Sequence, residues 1–194
     1  MTSLTQPLPQ KLFVPNQILF KRRDKLPLSG QMRWRIHEGF VRIITWDEEG
    51  YTIPTSFWGP GSLIGAELVL IQPHEIECIT SVTAERVSPA AQLPATALVD
   101  QTHQALTLLR ILHSRHVGYR LLQFICWLTE RFGAPVPGGR MLPLKITHQE
   151  LADAIGTTRV TTTRFLKQFE LDGLLQWSGK SRVIYAATLQ RIKL

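Results

Sequence analysis

The sequence predicts an α+β protein in three consecutive parts: a small antiparallel β-barrel or jelly roll, a long helix, and a C-terminal unit of two short helices and a hairpin. Three observations carry this. From about residue 11 to 88 the chain is a string of short runs rich in β-branched and aromatic residues, broken by turn-forming Gly, Pro, Asn and Asp. From about 96 to 132 the apolar residues recur at helical spacing. Between 147 and 166 a capping pair, a glycine and a second cap stand where two short helices would meet at a turn.

The runs in the first part are 12–14, 18–20, 33–36, 40–46 and 52–57, with turn signals at 15–16, 27–30, 38–39, 47–50 and 59–61. Within 40–46, Phe40, Ile43 or Ile44, and Trp46 roughly alternate with Arg42 and Thr45, as expected of a half-exposed strand. Many short strands at such spacing close into a barrel or jelly roll, here assigned to residues 1–95.

The second part reads as a helix over about 96–114, a hinge near 115–118 where Val117 and Gly118 interrupt the pattern, and another helix to about 132. Leu98, Leu106, Leu109 and Leu112 form an apolar seam, while Leu108 and Ile111 point away from it. One face can pack on the barrel and the other on a partner chain, which predicts a homodimer. The alternative is a helix buried wholly inside one subunit. Residues 96–116 are thus assigned to a dimerisation helix and hinge, and 117–194 to the C-terminal unit. The segment 133–139, with two prolines and three glycines, reads as a loop.

In the C-terminal unit, Thr147 followed three residues later by Glu150 is a capping box. Leu151, Ala152 and Ile155 supply a buried stripe, and Gly156 stands where a helix ends in a left-handed residue. Thr158 can cap a second helix whose inner face is Phe165, Leu166 and Phe169. Ala152 and Gly156 are small where two helices must cross. On the outer face, Arg159, Val160, Thr163 and Arg164 come together at spacings of four. The helix start presents free N–H groups suited to phosphate, and arginine is shaped to bridge guanine O6 and N7 in a major groove. These four are therefore candidate base-reading residues. The plain alternative is an ordinary solvated helix face; the caps, turn glycine, small crossing residues and arginine pair together weigh against it. Gly173 ends the helix, and the runs 174–177 and 183–185 flank a hairpin signal at 178–182. A helix-turn-helix followed by a hairpin is a winged helix, with Lys180 and Arg182 at the wing tip and Lys167 on the reading helix as candidate phosphate contacts.

Composition agrees. The 194 residues carry a formal charge of +7 and a pI near 9.8. From residue 140 onward nine basic residues face four acidic ones, a net of +5, so the excess clusters around the reading helix. No apolar run approaches the ~18 residues of a membrane span, and the N-terminus lacks the basic-then-apolar pattern of a secretory signal. Cys78 and Cys126 lie far apart and outside metal-ligand spacing, which points to a reduced, cytoplasmic setting. His103, His113 and His116 on the central helix have no carboxylate or cysteine to complete a metal set, so no metal is expected. The barrel half has only His37 and His74 and no nucleophile motif, which argues against an enzyme.

The order barrel, long helix, hinge, winged helix resembles the CRP/FNR family of transcription regulators over nearly the whole chain. The matching residues are His37-Glu-Gly-Phe-Val-Arg-Ile, Asp47-Glu-Glu-Gly50, Gly59-Pro-Gly-Ser-Leu-Ile-Gly65 and the motif at 146–166. Gly118-Tyr-Arg-Leu-Leu and the stretch 155–166 look most like the cyanobacterial global nitrogen regulator branch. The resemblance implies a cyclic-nucleotide-binding-like barrel, a homodimer, double-stranded DNA and RNA polymerase as partners, and an activator's role in transcription. It implies that Arg159, Val160 and Arg164 read bases, while Thr147, Gln149, Thr158, Thr161 and Lys180 hold phosphates. Family members that read a TGTGA half-site have an acidic residue where Val160 stands; the nitrogen-type branch has Val and is associated with GTA…TAC palindromes. A palindrome of that kind, with half-sites one helical turn apart, is the expectation.

The sensor half departs from the family's ligand patterns. Members that bind cyclic AMP have Gly-Glu-Leu and then an Arg-Ser pair for the phosphate. Here the first part reads Gly65-Ala-Glu-Leu68 and the segment 72–79 has no arginine, while Glu75 and Glu77 would repel a phosphate. Cyclic AMP is disfavoured, and two isolated cysteines cannot hold an iron–sulfur cluster. The candidate effector pocket is Ile64, Gly65, Ala66 and Glu67 with Arg120, which matches the arginine of the nitrogen branch's Gly-x-Arg-Leu motif. 2-Oxoglutarate stays open as the ligand, although the barrel arginine which that branch uses for the ligand carboxylate has no counterpart. The alternative is a family member acting as an interaction module without ligand control.

Overall fold

The computed structural model describes residues 16–28, 32–69, 71–88, 94–177 and 181–192. Among these residues, eight short strands build the N-terminal part: β1 (Gln17–Phe20), β2 (Lys25–Leu26), β3 (Arg33–Glu38), β4 (Val41–Trp46), β5 (Thr52–Trp58), β6 (Leu63–Gly65), β7 (Glu75–Cys78) and β8 (Val82–Val87). They form two antiparallel four-stranded sheets, ordered β1-β8-β3-β6 and β2-β7-β4-β5. Trp34, Ile36, Val41, Ile43, Ile64, Ile76 and Val82 pack between them as a closed core. This is the predicted α+β architecture with its sandwich-like barrel. The expected run at 12–14 lies outside the described residues.

One strand differs from expectation. Val41 through Thr45 of β4 are all buried, Arg42 and Thr45 included, so the strand is not half-exposed. Its sheet is covered on the outer side, because a C-terminal helix packs against the neighbouring β5. Arg42 survives there because its Nε donates to Glu77 Oε2 at 2.7 Å, across the β4–β7 register.

Helix α1 spans Ala95–Leu112 and α2 spans Val117–Phe132. The break is therefore at residues 113–116, and Val117 and Gly118 belong to the first turn of α2 rather than to the hinge. Gly118 is there for close packing: a Cβ would stand 2.7 Å from the Phe165 ring. Leu108 and Ile111 of α1 are buried, and Gln104 Oε1 accepts the Phe57 N–H at 2.9 Å, tying α1 to β5. The opposite seam of Leu98, Leu106, Leu109 and Leu112 is exposed. Helix α2 is the centre of a second core running from Phe57 and Ile79 of the barrel to Leu151, Leu166 and Ile184. Cys78 and Cys126 are buried, and burial pushes both thiols up to about 12, so they are packing residues rather than reactive ones.

The C-terminal unit contains α3 (His148–Ile155), α4 (Arg159–Leu171), α5 (Ala186–Arg191) and a four-stranded sheet. That sheet is ordered β11-β12-β10-β9, with β9 at Ala134–Val136, β10 at Gly139–Met141, β11 at Leu175–Gln176 and β12 at Val183–Tyr185. The segment 133–139 is thus mostly strand and turn. Its Gly and Pro content marks the tight turn of a β9–β10 hairpin, and β10 pairs on its other edge with β12. Two ion pairs fasten this unit to the barrel: Arg22 Nη2 lies 2.6 Å from Glu150 Oε1, and Arg42 Nη1 lies 3.7 Å from Asp153 Oδ2.

Candidate nucleic-acid interface

The capping box is formed as the local sequence dictates. Thr147 Oγ1 accepts the Glu150 N–H at 3.1 Å, and Glu150 Oε2 accepts the Thr147 N–H at 2.6 Å. Gly156 closes α3 at φ +62°, ψ +59°, a conformation costly for any residue with a Cβ. Thr158 then caps α4, accepting the Thr161 N–H at 3.2 Å. Ala152 and Ile155 of α3 and Thr162, Leu166 and Phe169 of α4 are buried. This orients α4 so that Arg159, Val160, Thr163, Arg164 and Lys167 line one shallow concavity of about 380 Å³ on the outside. Val160 is 80% exposed, at the centre of this face.

Thr163 sits less freely than its spacing suggests. Its hydroxyl donates to Arg159 O at 2.9 Å and lies 2.8 Å from His148 Nδ1, so it braces α4 against α3. His148 is held below its ordinary value of 6.5, first by burial and then by the charges of Arg159 and Arg182. The folded chain takes up this proton less readily than the unfolded chain, so stability present above pH 6.5 is lost as pH falls from 6.5 through the lower folded value. His148→Gln is expected to flatten that limb of the stability–pH curve. An unchanged slope would exclude His148 as its source.

Among the candidate phosphate contacts, Thr147 and Thr158 serve as helix caps, and Thr158 Oγ1 donates to Thr161 Oγ1 at 3.0 Å. Gln149 Nε2 donates to Asp153 Oδ1 at 2.7 Å. Lys167 is exposed. Arg182 is not at a free tip: it is partly buried, with its guanidinium 5.4 Å from the Trp177 ring centre. Burial and then the charge of Arg22 lower its pKa. Lys180 lies outside the described residues.

The candidate effector residues are not brought together. Ile64 is wholly buried in the barrel core. The Glu67 carboxylate receives Arg33 Nε at 3.0 Å, which holds it below the usual carboxylate range. Arg120 instead donates to Leu112 O at 3.5 Å and Gly156 O at 3.3 Å, clasping the end of α1 to the turn between α3 and α4. Sequence reasoning missed Arg33; it reaches Glu67 only because β3 pairs with β6, setting Arg33 opposite Gly65. Among the described residues no three potential metal ligands cluster, and no helix is long and apolar enough to cross a membrane.

Comparison with known proteins agrees with this geometry. Residues 119–192 match the Crp-like helix-turn-helix domain. The regulatory protein CysR of Synechococcus elongatus is 37% identical over 90% of this chain and 87% of its own length. A global nitrogen regulator of Nostoc is 43% identical over 79% of this chain and 78% of its own. Likeness to the nitrogen branch is thus shared with a second kind of regulator. In fold, the crystal structure of TTHB099, a CRP-family transcriptional regulator of Thermus thermophilus, superposes with a TM-score of 0.72 at 21% identity, covering 90% of this chain and 95% of the other. The chain belongs to the CRP/FNR family of DNA-binding transcription regulators, proteins that act through a helix-turn-helix rather than by catalysis.

Proposed function

We propose that this regulator acts as a homodimer on a palindromic promoter site of GTA…TAC type, with one α4 helix in each of two successive major grooves. Arg159, Val160, Thr163 and Arg164 read bases, and Thr147, Gln149, Thr158, Thr161, Lys167, Lys180 and Arg182 hold the phosphates. The observation that carries this reading is the outer face of α4, where two arginines and a lysine surround the exposed Val160 while the opposite face is buried. Val160 in particular supports the nitrogen-type half-site. Residues 1–95 form the barrel, 96–116 the dimerisation helix and hinge, and 117–194 the DNA-binding head, and promoter-bound dimers engage RNA polymerase. Because Glu67 already pairs with Arg33, the barrel has a structural role unless an effector displaces that pair.

The test is binding of the purified protein to a GTA…TAC palindrome and to scrambled DNA, across salt concentrations, with and without 2-oxoglutarate or cyclic AMP. Specific binding with a steep salt dependence is expected. Arg159→Ala should cost about 1–3 kcal/mol on the palindrome and relax specificity there. Wild-type affinity in Arg159→Ala would exclude α4 as the reading helix. Dependence on one added ligand would identify an effector.

A further inference from the structure

A cleft of about 430 Å³ lies away from the α4 surface, between the barrel and the segment that leads into α3. Phe40, Ile79 and Pro143 give it apolar walls; Arg22 and Ser81 enter from the barrel and Lys145 from the other side. The remaining lining hydroxyl, on Thr80, is already used: it accepts the Phe40 N–H at 2.9 Å and donates to Ser81 O at 3.0 Å. The Ser81 hydroxyl and the Lys145 ammonium make no hydrogen bond to a described residue.

The local charge is unbalanced. Arg22 spends Nη2 on Glu150, but its buried Nε has no acceptor among the described residues. Glu150 cannot supply one cheaply, since its two oxygens already serve Arg22 and the Thr147 N–H. The Nε of Arg182 is likewise buried without a described acceptor, and the charges of Arg22 and Glu150 both bear on Arg182. The Glu150 carboxylate thus pairs with Arg22 while its charge also bears on Arg182, and the Lys145 ammonium lines the same cleft as Arg22. Buried donors of this kind call for an acceptor that carries charge.

We infer that this cleft binds a small, multiply charged oxyanion, held by Arg22 and Ser81 on the barrel side and by Lys145 on the side of the DNA-binding head. A tetrahedral oxyanion presents enough acceptors for a guanidinium, an ammonium and a hydroxyl at once. Because Lys145 stands two residues before the cap of α3, such an anion bridges the sensor-like barrel and the reading head, and its occupancy stiffens their junction. The same oxyanion chemistry is offered by a free anion and by the backbone of bound DNA; the cleft's place between the two units favours the free anion.

The experiment is calorimetric titration of the full-length protein, without DNA, with inorganic phosphate at constant ionic strength, with chloride as the matched salt. Saturable single-site binding is expected, weakened by about tenfold or more in Lys145→Gln and in Arg22→Gln. Arg159→Ala, on the α4 surface, should leave it unchanged. Arg22→Gln also breaks the pair with Glu150, so its melting temperature is checked; the Lys145 side chain is exposed and unbonded, which keeps Lys145→Gln free of that complication. Non-saturable heat, or wild-type phosphate binding in Lys145→Gln, overturns the proposal. So does loss of phosphate binding in Arg159→Ala, which would put the anion on the reading surface. Loss of DNA affinity in Lys145→Gln with no phosphate site in the wild type would assign Lys145 to the DNA backbone, and overturns it as well.

Discussion

The double variant Leu106→Asp/Leu109→Asp is expected to run as a protomer of 22.0 kDa in light scattering, and the unaltered chain, if the proposed dimer forms through this seam, at twice that mass. Both leucines lie on the exposed seam of α1, at 61% and 53% exposure, with Leu98 and Leu112 on the same face. Burying a leucine stabilises by about 1.5–3 kcal/mol, and a two-fold axis applies each residue twice. Aspartates there would remove that gain and bring like charges together from both subunits. The protomer core is untouched, because Leu108 and Ile111 hold α1 to the rest of the chain from its other face. The melting temperature should therefore change little relative to a folded protomer. A lone head engages one half-site, so affinity for the palindrome should fall by about three orders of magnitude, towards the non-specific range. A variant that remained dimeric would remove the seam from the interface. One that became monomeric yet bound the palindrome normally would remove dimerisation from the mechanism.

Arg42→Ala is expected to destabilise the fold by about 3–5 kcal/mol, read as a shift in denaturant midpoint at unchanged slope. The guanidinium is buried between Glu77 of the barrel and Asp153 of α3. Its removal leaves two poorly solvated carboxylates without their cation. The same residue touches both units, so the loss should also loosen the docking of α3 on the barrel. Adding Glu77→Gln to Arg42→Ala should recover part of the loss, since the orphaned charge is then gone. A cost below about 1 kcal/mol, the range of exposed pairs, would mean that water reaches the site.

Local chemistry made much of the DNA-binding unit legible. Thr147, Glu150, Gly156 and Thr158 are caps whose partners lie within four residues, so their geometry follows from spacing alone. The same holds for the face shared by Arg159, Val160 and Arg164. Contacts between distant segments were not legible in this way. Arg42 looked like the exposed residue of an alternating strand, because its partners on β7 and α3 lie far away in sequence. Gly118 looked like a hinge, although a glycine that admits the Phe165 ring and one that breaks a helix leave the same mark in the chain. The glycines and prolines of 133–139 marked the turn of the β9–β10 hairpin truly, but the pairing that holds the other edge of β10 comes from β12, more than forty positions later. Arg33 and Glu67 meet only through strand register.

The division follows from the range of the forces involved. Periodicity, caps and turn residues act over one or two helical turns, and they determined the order of elements, the helix-turn-helix and the face of α4 that carries the arginines. Burial of charge and the choice between hinge and packing glycine depend on what a distant segment places alongside. Those, together with the cleft between barrel and head, were decided only when the chain closed on itself and low-dielectric contacts replaced water around Arg22, Arg42 and Arg182.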